Sequence, residues 1–251
     1  MTVYFIGAGP GAADLITVRG QRLLQRCPVC LYAGSIMPPD LLAFCPPDAL
    51  VVDTGPLTLD RIVEHLAEAH AGGHDVARLH SGDPSLYSAV AEQCRRLDAL
   101  AIPYEIVPGV PAFAAAAAAL GRELTVPGIA QTVTLTRVST LSTPMPPGED
   151  LAALAASGTT LVIHLAAHRI DAVVPQLLAG GYRPQTPAAV VAFASWPQQT
   201  VLRGTLADIA AATLAAGITR TAVIVVGDVL AAQGFSDSYL YSAGRTRGTQ
   251  H

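Results

Sequence analysis

Charge is scarce in this sequence. Asp, Glu, Lys and Arg make up only 14% of the 251 residues against 51% hydrophobic, and the formal net charge is −4. Such a chain has the composition of a globular α/β protein, and lacks that of a disordered segment or of a broad nucleic-acid-binding surface. A local basic pocket is compatible with the small negative total. Long apolar runs are missing too. The most apolar stretch near the middle, Ala112 to Leu120, lies between Pro111 and Gly121-Arg122 and falls short of the roughly 20 residues of a membrane helix. Thr2-Val3-Tyr4-Phe5-Ile6 already reads as a buried strand, which leaves no room for a charged leader and a signal-peptide core. The expectation is a soluble, cytoplasmic protein with neither a membrane nor a nucleic acid as partner.

Cysteine is sparse, and Cys27, Cys30, Cys45 and Cys94 do not form a disulfide framework at this length. Cys27-Pro28-Val29-Cys30 has C-x-x-C spacing. A redox pair needs its first cysteine at a helix N-terminus, but Cys27 follows a helical run, Val18 to Arg26, and leads into a strand. No second pair completes a zinc site. The two therefore read as small apolar residues at a helix-to-strand turn, and no metal is expected. Other signatures are missing as well: there is no G-x-x-x-x-G-K-[ST], and Ser81, Ser85 and Ser195 lack a G-x-S-x-G setting. His164 and His168 stand four apart, but the first ends a strand and no H-E-x-x-H is present, so a core or cleft-wall role is expected.

What is present is an alternation of strands and helices, the pattern of a largely parallel sheet. Strands are expected at Val3–Ile6, Val29–Tyr32, Leu50–Asp53, Asp75–His80 and Tyr104–Val107. Between them lie helices Thr17–Arg26, Pro39–Phe44, Leu59–Ala71 and Pro84–Leu100, with Thr17 and Thr58 as N-caps and Pro84 as a first helical residue. After Val107-Pro108-Gly109-Val110-Pro111 and an alanine-rich helix the texture changes. Strands Thr132–Thr136, Thr160–Leu165, Ala188–Phe193, Thr200–Arg203 and Ala222–Val226 alternate with helices Glu149–Ala156, Arg169–Ala179 and Ala207–Ala215. A hairpin through Ala194-Ser195-Trp196-Pro197-Gln198 implies a mixed second sheet. The expected architecture is two α/β domains, 1–113 with a mostly parallel sheet and 114–251 with a mixed one, a cleft between them, and a polar tail from about residue 236.

Three loops follow strands of the first sheet: Gly7-Ala8-Gly9-Pro10-Gly11, Ser81-Gly82-Asp83-Pro84 and Pro108-Gly109-Val110-Pro111. They share the carboxyl edge where open α/β sheets bind ligands. The first formally meets G-x-G-x-x-[GA], which keeps a dinucleotide-dependent oxidoreductase open. The second strand, however, ends Leu31-Tyr32-Ala33-Gly34 without the acid that would hold a ribose, and Pro10 removes an N–H that a phosphate cradle would use. Glycine and proline without lysine or arginine suit a ligand held by backbone and apolar contact.

In this order and spacing the three loops resemble the tetrapyrrole (corrin/porphyrin) methyltransferases, which use S-adenosylmethionine. The resemblance runs nearly end to end, through Thr160–Leu165, Arg203-Gly204-Thr205-Leu206 and Ala222–Gly227. Leu31–Ser35, Gln131–Arg137 and Trp196-Pro197 are similar to the branch of cobalamin biosynthesis that methylates a precorrin at ring carbon C11, and siblings acting on other ring carbons look less alike there. The resemblance implies two α/β domains, a homodimer, and S-adenosylmethionine folded up in a cleft. By the same resemblance the donor pocket comprises Pro10, Ser81, Gly82, Asp83, Leu86, Pro111, Ala112, Leu165, Ala194 and Ala222. Many relatives carry an aspartate after the loop glycines where this chain has Ala12, with Asp14 two residues on, so no catalytic base is assigned. The acceptor carries many carboxylates, which makes Arg137 and Arg122, with Arg19 behind them, the candidates to bind it. Methylation at another ring carbon or on a modified protein histidine, and a non-catalytic tetrapyrrole-binding protein, stay open as alternatives.

Overall fold

The computed structural model describes residues 1–139 and 143–238, without the side chain of Ser35. The chain divides into two compact units: Met1–Ala115 with Phe193–Gln198, and Ala116–Ala192 with Gln199–His251. Most of the expected polar tail lies outside the described residues.

In the first unit β1 (Val3–Gly7), β2 (Val29–Tyr32), β3 (Leu50–Asp53), β4 (Val76–His80) and β5 (Tyr104–Val107) form an all-parallel sheet in the order β3-β2-β4-β1-β5. Its central strands are buried on both faces, so β1 reads as a continuous apolar run. Ile6, Ala77, Leu79 and Cys30 turn to one side with Leu23 and Leu24 of α1 (Val18–Leu24). Phe5, Val76 and Leu31 turn to the other, toward α3 (Leu59–Ala71) and α4 (Val90–Ala99), which contribute Ile62, Leu66, Cys94 and Leu97. A short α2 (Pro39–Leu42) adds Leu41. Both expected caps form: the Thr17 hydroxyl accepts from the Gly20 N–H at 3.1 Å and that of Thr58 from Arg61 at 3.4 Å.

In the second unit β6 (Val133–Arg137), β7 (Thr160–His164), β8 (Pro187–Ala192), β9 (Thr200–Thr205) and β10 (Ala222–Val226) form a mixed sheet, ordered β6-β7-β10-β8-β9. Of the neighbouring strands β6 and β7 pair in parallel and the others antiparallel, and β8 and β9 make the antiparallel hairpin read from the sequence. Its helices are α6 (Leu151–Ala155), α7 (Ile170–Ala179) and α8 (Ile209–Ala215), and α5 (Ala112–Leu120) leads in from the first unit.

One helix departs from expectation. Pro84 does not open α4, which starts at Val90. The intervening side chains take the backbone's bonds: the Asp83 carboxylate accepts the Ser85 N–H at 2.8 Å, and the Ser88 hydroxyl donates to the carbonyls of Asp83 and Leu86. Tyr87 and Ala89 adopt left-handed φ values of 54° and 51°. Gln93 then fixes the true start by donating its amide to the Ala89 carbonyl at 2.9 Å while accepting from buried Arg78. The helix end read at Ser81–Pro84 is therefore a side-chain-tied turn.

Candidate functional site

The order β4-β1-β5 places the three glycine- and proline-rich loops side by side, and they lock together. Gly9 and Gly82 exchange backbone hydrogen bonds, 3.2 Å from Gly9 N–H to Gly82 O and 2.7 Å in return. Both have the positive φ that glycine adopts without strain, 81° and 69°. The Ala8 N–H donates to the His80 carbonyl at 2.8 Å. Asp83 ties the third loop by accepting the Gly109 N–H at 2.7 Å, while its other oxygen accepts the N–H and hydroxyl of Ser85. Glycine is needed where the strands meet: a Cβ on Gly109 would lie 2.3 Å from the Gly82 carbonyl oxygen, and one on Gly7 2.5 Å from Gly109 Cα. Because Gly82's N–H and C=O are both engaged with Gly9, its contribution to a ligand site is the room left by its missing side chain. A Cβ there would face Pro111 Cα and the Ala112 nitrogen, each at 3.6 Å.

Phe193–Gln198, the connection between β8 and β9, belongs to this same unit. The Trp196 indole N–H donates to the Pro10 carbonyl at 3.0 Å, and the Ser195 hydroxyl accepts the Ala12 N–H at 3.0 Å. Gly11 lies beneath the indole, where a Cβ would fall 2.1 Å from Trp196 Cδ1. Ala194 is buried within the segment. Neither Ser195 nor Trp196 stands among the residues expected at the site. Two signals were available: Trp196 is the single tryptophan of the chain, and Trp196-Pro197 is one of the stretches that carry the family resemblance.

Of the expected donor residues, Pro10, Ser81, Gly82, Asp83, Leu86, Pro111, Ala112 and Ala194 belong to the first unit and Leu165 and Ala222 to the second. Leu165 follows β7, is 56% exposed and has φ 54°, and Ala222 opens β10 after Thr221 at φ 51°. Among the described residues seven non-glycines have positive φ, and five of them, Tyr87, Leu165, Phe193, Ser195 and Thr221, are or adjoin an expected donor residue. Backbone strain of this kind concentrates at functional sites. Arg137 and Arg122 also lie in the second unit. The Arg137 guanidinium donates to the carbonyls of Val138, Thr143 and Pro144, and that of Arg122 to the Ala232 carbonyl at 3.3 Å. Arg19 pairs with Glu105 on the surface.

The charges beside the loops are controlled by burial and by hydrogen bonds. Burial pushes the Asp83 carboxyl up, but the bonds from the Ser85 hydroxyl and from the Gly109 and Ser85 N–H groups outweigh it and hold the group ionised below the ordinary carboxylate range. His80 is pulled down to about 3 by burial and by the neighbouring Arg78 charge, and is therefore neutral. Arg78, itself drawn down to about 10 by burial, stays charged and donates to Thr54 Oγ1 at 3.0 Å. With its oxygens committed to two loops, Asp83 is built to position backbone. Asp14 sits in a 3₁₀ turn, Ala13–Leu15.

The profile of the Tetrapyrrole (Corrin/Porphyrin) Methylases matches residues 2–210. The chain belongs to this family. Among its members, the precorrin-4 C(11)-methyltransferase of Mycobacterium tuberculosis is 82% identical over 245 residues, 98% of each chain. The X-ray structure of a cobalamin biosynthetic enzyme, cobalt precorrin-4 methyltransferase CbiF, superposes with a TM-score of 0.89 at 39% identity, covering 91% of this chain and 95% of that one. The uroporphyrin-III C-methyltransferase of Thermus thermophilus, crystallised with S-adenosyl homocysteine, gives 0.77 at 29% identity, covering 92% and 93%. At these TM-scores the two solved structures share this chain's fold.

Proposed function

We propose that this chain transfers a methyl group from S-adenosylmethionine to C11 of precorrin-4 in cobalamin biosynthesis. The observation that carries the reading is the 82% identity with the M. tuberculosis precorrin-4 C(11)-methyltransferase, which spans 98% of both chains. The locked loops of the first unit fit the donor. They carry no arginine or lysine to hold a phosphate chain, they are cut back to glycine where backbones cross, and Gly82 opens toward Pro111 and Ala112. A zwitterionic sulfonium molecule needs such a shaped, weakly charged surface more than it needs a cation.

The bound donor supplies an already activated methyl on a sulfonium. The protein's task is to exclude water and to hold the acceptor carbon in line with that methyl, which accounts for a site without a catalytic dyad. Asp83 holds the Ser81–Ser85 and Gly109 loops in register and does not take a proton. On the family resemblance Pro10, Leu86, Pro111, Ala112, Leu165, Ala194 and Ala222 are assigned to the donor. Arg137 and Arg122 are assigned to carboxylates of the tetrapyrrole, and Arg137 also holds the start of its own loop. The protein acts in the cytoplasm as a homodimer, in line with what the family resemblance implies; no helix among the described residues is long and apolar enough to cross a membrane.

Calorimetric titration with S-adenosylhomocysteine tests the donor assignment. The native protein is expected to bind it, and Gly82→Trp, which fills the space before Pro111 and Ala112, to abolish binding while circular dichroism stays native. Unchanged affinity in the folded variant would sink the assignment. The positive φ at this position costs a non-glycine residue about 1–2 kcal/mol, which the fold can absorb.

A further inference from the structure

Pro10, Gly11 and Ala12 are held from outside their own loop by two side chains that no relative's name and no part of the proposed reaction assigns. The Trp196 N–H and the Ser195 hydroxyl satisfy the Pro10 carbonyl and the Ala12 N–H across 186 and 183 residues of sequence. The fit is close, since Gly11 has no space for even a methyl group against the indole. The segment that brings them is itself strained: Phe193 and Ser195 have φ values of 50° and 67°, with Ala194 buried between them. A connection between two strands could be an ordinary hairpin tip. This one keeps two left-handed non-glycine residues, and both long-range bonds end on the loop assigned to the donor. Such strain persists only where surrounding contacts over-determine it.

We propose that Ser195 and Trp196 are positioning residues for methyl transfer: a clasp that sets the Gly9–Ala12 loop in its donor-binding form. The clasp acts through the loop and touches neither the reacting methyl nor the acceptor carbon. It rests on the reading of Pro10 as part of the donor site.

Two variants separate positioning from mere stability. Ser195→Gly removes the acceptor for Ala12 and also relieves the left-handed strain at Ser195, so the two effects on stability oppose each other and its thermal midpoint should stay close to that of the native protein. Trp196→Phe keeps a ring over Gly11 and removes the N–H. Each removes a neutral hydrogen bond to the loop, and the KM for S-adenosylmethionine and the Kd for S-adenosylhomocysteine should rise about five- to tenfold in each. The KM for the tetrapyrrole should not change. Since Trp196 is the only indole, its emission in the native protein should also shift as S-adenosylhomocysteine is added. Donor affinity unchanged in either variant, or equal losses for donor and tetrapyrrole, would overturn the clasp. If the native protein does not bind S-adenosylhomocysteine, the donor reading falls together with it. If the native protein binds and the variants bind as tightly, only the clasp falls.

Discussion

Immediately before the Ser81-Gly82-Asp83 loop stands a histidine that water scarcely reaches. His80 is 7% exposed, its ring lies 5.8 Å from that of Phe5, and its Nε2 has no hydrogen-bond partner. Burial and the Arg78 charge bring it down to about 3 from the ordinary 6.5, and burial brings His164 down to about 4. An unfolded chain takes up these protons near pH 6.5, whereas the folded protein resists them until pH 3 to 4. The stability held by the neutral rings is therefore full above pH 6.5 and drains away as the pH falls toward those values. Urea unfolding at a series of pH values should show this slope between pH 6.5 and 4. His80→Leu, which also removes an unpaired buried nitrogen, should reduce the slope and leave the part due to His164; an equal slope in both proteins would show that His80 does not contribute to it. Sequence alone places His80 at a strand end but says nothing of its proton, because its burial comes from tertiary packing, the Phe5 ring among it. Asp83 is a different case. Its sequence setting, between glycine and proline at the end of a strand, marks it as a loop residue, and the structure shows what the carboxylate does there: it ties Ser85 and Gly109.

The elements that read most clearly are those whose residues repeat. Leu59–Ala71, Val29–Tyr32, Leu50–Asp53 and Tyr104–Val107 fall where hydrophobic period and punctuation put them. Their loops meet at one edge because β4, β1 and β5 are neighbours, and that edge is where glycine becomes a steric requirement. Gly109→Ala tests it. Its Cβ would press on the Gly82 carbonyl at 2.3 Å and on Gly7 Cα at 2.7 Å, backbone atoms that cannot swing away. A stability loss of about 1–3 kcal/mol is expected, as for other overpacked sites, measured by denaturant unfolding; native stability in this variant would mean that the crossing is looser than described. The start of α4 was not legible for a related reason. Periodicity registers apolar spacing, and Leu86, Val90, Cys94 and Leu97 keep it, but Asp83, Ser85 and Ser88 draw the backbone bonds into a turn that period-counting does not see.

At the scale of the whole chain, two sheets and their strand directions followed from pattern: buried continuous strands for the parallel sheet, a short hairpin for the mixed one. The assignment of Phe193–Gln198 to the first unit did not follow, because bonds spanning 183 and 186 residues leave no local trace in composition or period. Nor did the left-handed residues at the expected donor positions, since leucine, phenylalanine and threonine give no sign of φ. What joined the scattered loops into one site was their order and spacing as a set, which is also what the family profile registers over residues 2–210. The central claim, transfer to C11, is tested by incubating the protein with S-adenosylmethionine labelled with ¹³C in its methyl group and with precorrin-4 or its cobalt complex, and by locating the label in the product by NMR. The account predicts one labelled methyl at C11 and release of S-adenosylhomocysteine in equal amount. Label at another ring carbon, or binding of the tetrapyrrole without turnover of the donor, would contradict it.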